Sequence, residues 1–107
     1  MRGQTTHLEE LDKSVGTVLD AIRDTQLSER TLVLFTSDNG PWLMYNQQGG
    51  SAGLLREGKG STWEGGMREP AIAWQPGTIP AASVCQELAS TLDVLPTFCA
   101  MAGVEVR

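Results

Sequence analysis

The sequence predicts an α/β layered fold, and three segments carry that prediction. Residues 8–25 place Leu8, Leu11, Val15, Val18, Leu19 and Ile22 at three- and four-residue steps, the period of an amphipathic helix. After a short connection, residues 31–36 (Thr-Leu-Val-Leu-Phe-Thr) are β-branched at the start and apolar through the middle. That is the pattern of a short strand covered on both faces. Residues 70–74, Pro70 to Trp74, read as a second short strand, with proline at the first position, where a missing N–H is tolerated. A helix, a short connection and a buried strand are the parts of a layered α/β architecture.

The elements follow in order. Thr6, with Glu9 three residues later, makes a capping box for the first helix. Glu9, Asp12, Lys13, Asp20 and Arg23 fill its polar side, and ordinary core packing accounts for its apolar stripe. From Gly40 to Gly66 there are eight glycines in 27 residues. Irregular segments of that length inside compact domains tend to be functional, and glycine lets main chain approach a ligand closely. Gln75-Pro76-Gly77 signals a turn. Asp93 is placed as the N-cap of a last helix, Pro96 falls in its first turn, and Gly103 follows where a C′ glycine belongs. Val94, Leu95, Phe98, Met101 and Ala102 supply that helix's apolar face. Two helices and two or three short strands make a thin sheet. The expectation is therefore a piece of a larger α/β domain.

Composition excludes several functions. The chain has 107 residues, 40% hydrophobic and 20% charged, which is too apolar for a disordered tail. Its apolar runs are only a few residues long, far short of a membrane-spanning helix. The first residues, Met1 to Thr6, hold no apolar core of a leader, so no targeting segment is read there. Net charge is −5 and the basic residues are scattered singly, which speaks against phosphate-directed binding of nucleic acid. Cys85 and Cys99 are too few for a disulfide scaffold, and His7 is distant from both in sequence, so no zinc site built within the chain is expected.

Four places hold residues suited to chemistry. Asp38-Asn39-Gly40 directly follows the buried strand, at the strand end where α/β sheets bind ligands. A carboxylate beside an amide oxygen offers two hard ligands to calcium or magnesium, although the same tripeptide is also common turn chemistry. Gly53 to Lys59 matches the spacing of a phosphate loop, but Gly60 stands where a hydroxyl is needed. Without a strand before it or a helix N-terminus after it, an NTPase is rejected. Lys59, between Gly58 and Gly60, remains a candidate point charge for an oxyanion, against the plainer reading of a solvated loop lysine. Arg68 is read as internal bracing against Glu64, Glu69 or Asp93 in preference to an anion site. His7 is read as a surface residue.

Together, three segments resemble the sulfatase family, nearest to its arylsulfatase A and N-acetylgalactosamine-6-sulfatase branches. They are Phe35-Thr36-Ser37-Asp38-Asn39-Gly40-Pro41, then Gly58 to Pro70 (Gly-Lys-Gly-Ser-Thr-Trp-Glu-Gly-Gly-Met-Arg-Glu-Pro), then Leu92-Asp93-Val94-Leu95-Pro96-Thr97. The resemblance runs from about Leu8 to Gly103. It implies an alkaline-phosphatase-like α/β fold, a mixed sheet flanked by helices, of which residues 1–107 would be a later, incomplete part. It implies hydrolysis of sulfate esters with one calcium ion and a formylglycine nucleophile. By the same resemblance Asp38 and Asn39 are metal ligands, and Lys59 contacts the sulfate group as a catalytic and substrate-binding residue. Expected substrates are small sulfate esters or sulfated glycans or lipids. Expected locations are lysosomal, secreted or periplasmic, although no Asn-x-Ser/Thr sequence is present.

The departures are specific. Formylglycine arises from cysteine in Cys-x-Pro-x-Arg, and neither Cys85 nor Cys99 sits in that motif. The family's early aspartate pair, active-site histidines and second lysine are also absent, and are expected upstream of Met1. Where arylsulfatase A carries cysteines in the glycine-rich segment, this chain has Ser51 and Glu57. An isolated chain is therefore expected to be inactive. Two other readings stand beside the sulfatase one: a phosphatase or phosphodiesterase of the same superfamily, or a non-catalytic truncated product.

Overall fold

The computed structural model describes residues 3–105, with side chains from His7 onward. Helix α1 spans Gly3–Asp24, strand β1 Val33–Thr36, the single turn α2 Glu64–Met67, strand β2 Ala71–Trp74 and helix α3 Val94–Met101. Short 3-10 turns lie at Ser28–Arg30, Leu43–Gln48 and Thr91–Asp93.

The stripe from Leu8 to Ile22 does form a helix, but it begins earlier than expected. α1 starts at Gly3, so Thr6 lies inside the helix and is not its cap. The Thr6 side chain is outside the described residues. At the other end α1 closes on Gln26, which takes a left-handed φ of 58°. Leu27 N–H donates to the Ile22 carbonyl at 3.0 Å and Gln26 N–H to Arg23 at 2.9 Å, the bond pair of a Schellman cap. α3 ends in the same way on the expected glycine. Gly103 has φ 71°, and Val104 N–H donates to the Cys99 carbonyl at 2.8 Å.

The start of α3 corrects another expectation. Asp93 stands at the N-cap position, yet its side chain makes no cap bond into α3. Its carboxylate reaches back instead and accepts from Ser90 N–H at 2.7 Å, while the Ser90 hydroxyl accepts from Leu92 N–H. Ser90 and Asp93 thus form the capping box of the preceding 3-10 turn.

β1 and β2 pair antiparallel, with Val33 opposite Trp74 and Thr36 opposite Ala71. The Thr36 hydroxyl donates to the Pro70 carbonyl at 3.0 Å and extends the pairing by one contact. Contrary to the expected cover on both faces, Leu34 and Phe35 remain 36% and 37% exposed. The sheet has two strands only, and both of these side chains keep more than a third of their surface open. Among the described residues no hydrophobic side chain is buried. The buried positions are Gly40, Gly58, Gly65 and Gly66. The tightest packing in the chain is therefore a meeting of backbones.

Candidate functional site

β1 runs directly into Ser37-Asp38-Asn39-Gly40. The Ser37 hydroxyl donates to the Asn39 carbonyl at 3.0 Å and closes the turn. Gly40 N–H donates to the Gly66 carbonyl at 3.2 Å. One residue on, the Pro41 carbonyl accepts from Lys59 N–H at 2.9 Å. Gly65 N–H donates to the Arg56 carbonyl at 2.8 Å. Residues 40–41, 56–59 and 65–66 are thus laced together through main chain.

Glycine is required for this approach. A Cβ on Gly40 would fall on the Gly65 carbonyl, and one on Gly65 on the carbonyls of Arg56 and Glu57. A Cβ on Gly58 would meet the Pro41 carbonyl, and one on Gly66 would lie 2.5 Å from the carbonyls of Gly58 and Ser61. Backbone cannot swing aside as a side-chain tip can, so each position excludes every other residue type.

On this frame Asp38 is exposed and Asn39 half-buried. Neither side chain makes a hydrogen bond or ion pair among the described residues. Asn39 lines a groove of about 650 Å³ together with Ser37, Ser51, Arg68 and Glu69. Lys59 lines a second groove, of about 250 Å³, with Trp42, Met44 and Glu57. Its ammonium sits 5.2 Å from the centre of the Trp42 ring. The backbones of the two motifs meet, while the Asn39 and Lys59 side chains line different grooves.

The donor chemistry suits a hard cation. Asp38 and Asn39 are adjacent oxygen donors with no other side-chain partner among the described residues, as calcium prefers, but calcium takes six to eight oxygens. Among the described residues no three His, Cys, Asp or Glu side chains gather into a metal site. This chain can therefore contribute two ligands of a larger set.

Other candidates resolve plainly. Arg68 pairs with Glu64 at 2.6 Å, the bracing expected from the sequence. Both side chains are more than half exposed, so Glu64→Gln is expected to cost less than about 1 kcal/mol in a denaturant titration. No strand precedes Gly53 to Lys59, and α2 begins only at Glu64, so the phosphate-loop geometry is absent. His7 is exposed, and Cys85 and Cys99 are free.

Two residues escaped sequence reasoning. Glu69, considered only as a partner for Arg68, lines the Asn39 groove and holds one buried oxygen without a hydrogen bond. Trp42, beside Lys59, was signalled only by aromatic residues three apart, Trp42 and Tyr45, which meet edge to face at 4.7 Å.

Comparison with known proteins fits this arrangement. The protein-family model described as Sulfatase matches residues 1–104. Human arylsulfatase A is 59% identical over 96 residues, which cover 90% of this chain and 19% of that protein. N-acetylgalactosamine-6-sulfatase of Canis lupus familiaris is 51% identical, over 89% of this chain and 18% of that protein. The crystal structure of Ps i-CgsB in complex with k-i-k-neocarrahexaose superposes with a TM-score of 0.83 at 38% identity. That match covers 90% of this chain and 21% of the other. The chain thus spans about a fifth of the length of the curated relatives it matches. Its α/β elements are a portion of the alkaline-phosphatase-like sulfatase fold, and the chain belongs to the sulfatase family.

Proposed function

We propose that residues 1–107 are the later part of a catalytic domain that hydrolyses sulfate esters, with Asp38, Asn39 and Lys59 at its active centre. One observation carries the reading. The Pro41 carbonyl takes Lys59 N–H while Gly40 is bonded to Gly66, so the Asp38-Asn39 turn and the Lys59 loop are held to one another. Asp38 and Asn39 then offer two oxygens to a calcium ion whose other ligands lie outside this chain. When bound, the ion supplies Lewis-acid polarisation of a sulfate oxygen. Lys59 holds a second sulfate oxygen through its compact ammonium and offsets negative charge there. The nucleophile, a formylglycine, also lies outside this chain, so the 107 residues alone are expected to show no turnover. The substrate is a small sulfate ester or a sulfated glycan or lipid, and the compartment lysosomal or otherwise extracytoplasmic.

The test grafts this segment into human arylsulfatase A in place of its matching 96-residue stretch. Lys59→Ala is expected to lower kcat/KM roughly 10- to 100-fold, the worth of a hydrogen bond to a charged group. Asp38→Ala is expected to raise the calcium concentration needed for half-maximal activity. Unchanged kinetics in both variants would remove these residues from the centre. Sequencing the reading frame upstream of Met1 tests the chemistry. A Cys-x-Pro-x-Arg there supports the sulfatase, and a Ser or Thr centre without it supports the phosphatase reading.

A further inference from the structure

We propose that Trp42 is a positioning residue that aims the Lys59 ammonium at the sulfate. The inference rests on the reading of Lys59 as the sulfate-binding lysine. A lysine on a glycine-flanked loop is a poor holder of an anion unless something restrains its flexible four-carbon stem. The structure restrains it at both ends. At the root, Lys59 N–H is bonded to the Pro41 carbonyl, one residue before Trp42. At the tip, the ammonium lies 5.2 Å from the centre of the Trp42 ring, within the range of a cation–π contact.

The Trp42 backbone is itself well fixed. Its carbonyl accepts from Tyr45 N–H at 3.0 Å, and Gly49 packs so closely on that carbonyl that a Cβ would overlap it. Tyr45 meets the indole edge-on, at an interplanar angle of 86°. The competing acid is also engaged elsewhere. Glu57 shares the Lys59 groove, but its carboxylate is 3.8 Å from Arg56 Nε and makes no ion pair with Lys59. The Lys59 charge is thus held by an aromatic face, and among the described residues no carboxylate pairs with it, which leaves its N–H donors open to an incoming anion. An aromatic face holds an ammonium without neutralising it, which is the property a sulfate site needs.

The experiment uses the arylsulfatase A graft and reads competitive inhibition by inorganic sulfate, which reports anion binding with no leaving group involved. Trp42→Leu is expected to raise the sulfate inhibition constant about two- to fivefold, the worth of an exposed cation–π contact. Trp42→Phe, which keeps a ring, is expected to restore most of the affinity. In a Lys59→Ala background, Trp42→Leu is expected to add nothing, because its effect passes through the lysine. An unchanged constant in Trp42→Leu, or an equal loss with and without Lys59, would overturn the positioning role. A Lys59→Ala variant with undiminished sulfate inhibition would overturn the parent reading, and the positioning role with it.

Discussion

Gly65→Ala is expected to destabilise the assembled domain by about 3 kcal/mol, the upper end of ordinary overpacking. The new Cβ would fall on the carbonyls of Arg56 and Glu57, and the Arg56 carbonyl cannot retreat without breaking the bond it accepts from Gly65 N–H. Gly40→Ala should behave alike, because its Cβ would strike the Gly65 carbonyl from the other side. Activity should fall further than stability, since these bonds also set the Asp38-Asn39 turn against the Lys59 loop. Gly16→Ala is the control. Gly16 lies within α1 with open space around it, so alanine there should stabilise by roughly 0.5–1 kcal/mol through helix propensity. Urea midpoints of the three variants in the graft decide the matter. A Gly65→Ala protein as stable as Gly16→Ala would show that the glycine meeting is loose and does not position the site.

What the sequence disclosed follows from how local each signal is. The Leu8-to-Ile22 stripe and the lone Gly103 act through nearest turns, so both were readable, and both are found in place. Ser90 was passed over for Asp93 because either can cap a helix; only the bond from Ser90 N–H back to Asp93 separates their roles. The turn α2 was not foreseen, since Gly65 and Gly66 are poor helix formers. It forms there because only glycine fits beneath the carbonyls of residues 56–58, a close backbone approach that helix propensity does not encode. The glycine-rich segment was marked as functional ground, but its path was not legible. That path turns on Asn46 and Glu57, both at positive φ, a conformation that neither residue type announces.

The isolated 107-residue chain is expected to bind a hydrophobic dye, to self-associate, and to unfold without a sharp cooperative transition. Its accessible surface is 9315 Å², against about 5,800 Å² for a folded monomer of its mass. Its radius of gyration is 16.5 Å, against about 13 Å for a compact domain of this length. The excess is apolar at many points: Leu88, Leu92 and Val84 are more than four-fifths exposed, and Leu54 is fully so. The β1–β2 pair leaves Leu34, Phe35 and Ile72 exposed, and α1 leaves Leu8, Leu11 and Val18 exposed. Cooperative unfolding needs a shared core whose loss is all-or-none, and here no described hydrophobic side chain is buried. In relatives five times as long, the remaining chain is available to cover these surfaces. Dye fluorescence, sedimentation and a thermal scan on the purified chain test this directly. Strong dye binding and a broad melt would show that these surfaces need the remainder of a larger domain to cover them, as a truncated product would. A compact monomer with a sharp melt would mean that the chain closes a core of its own by another packing.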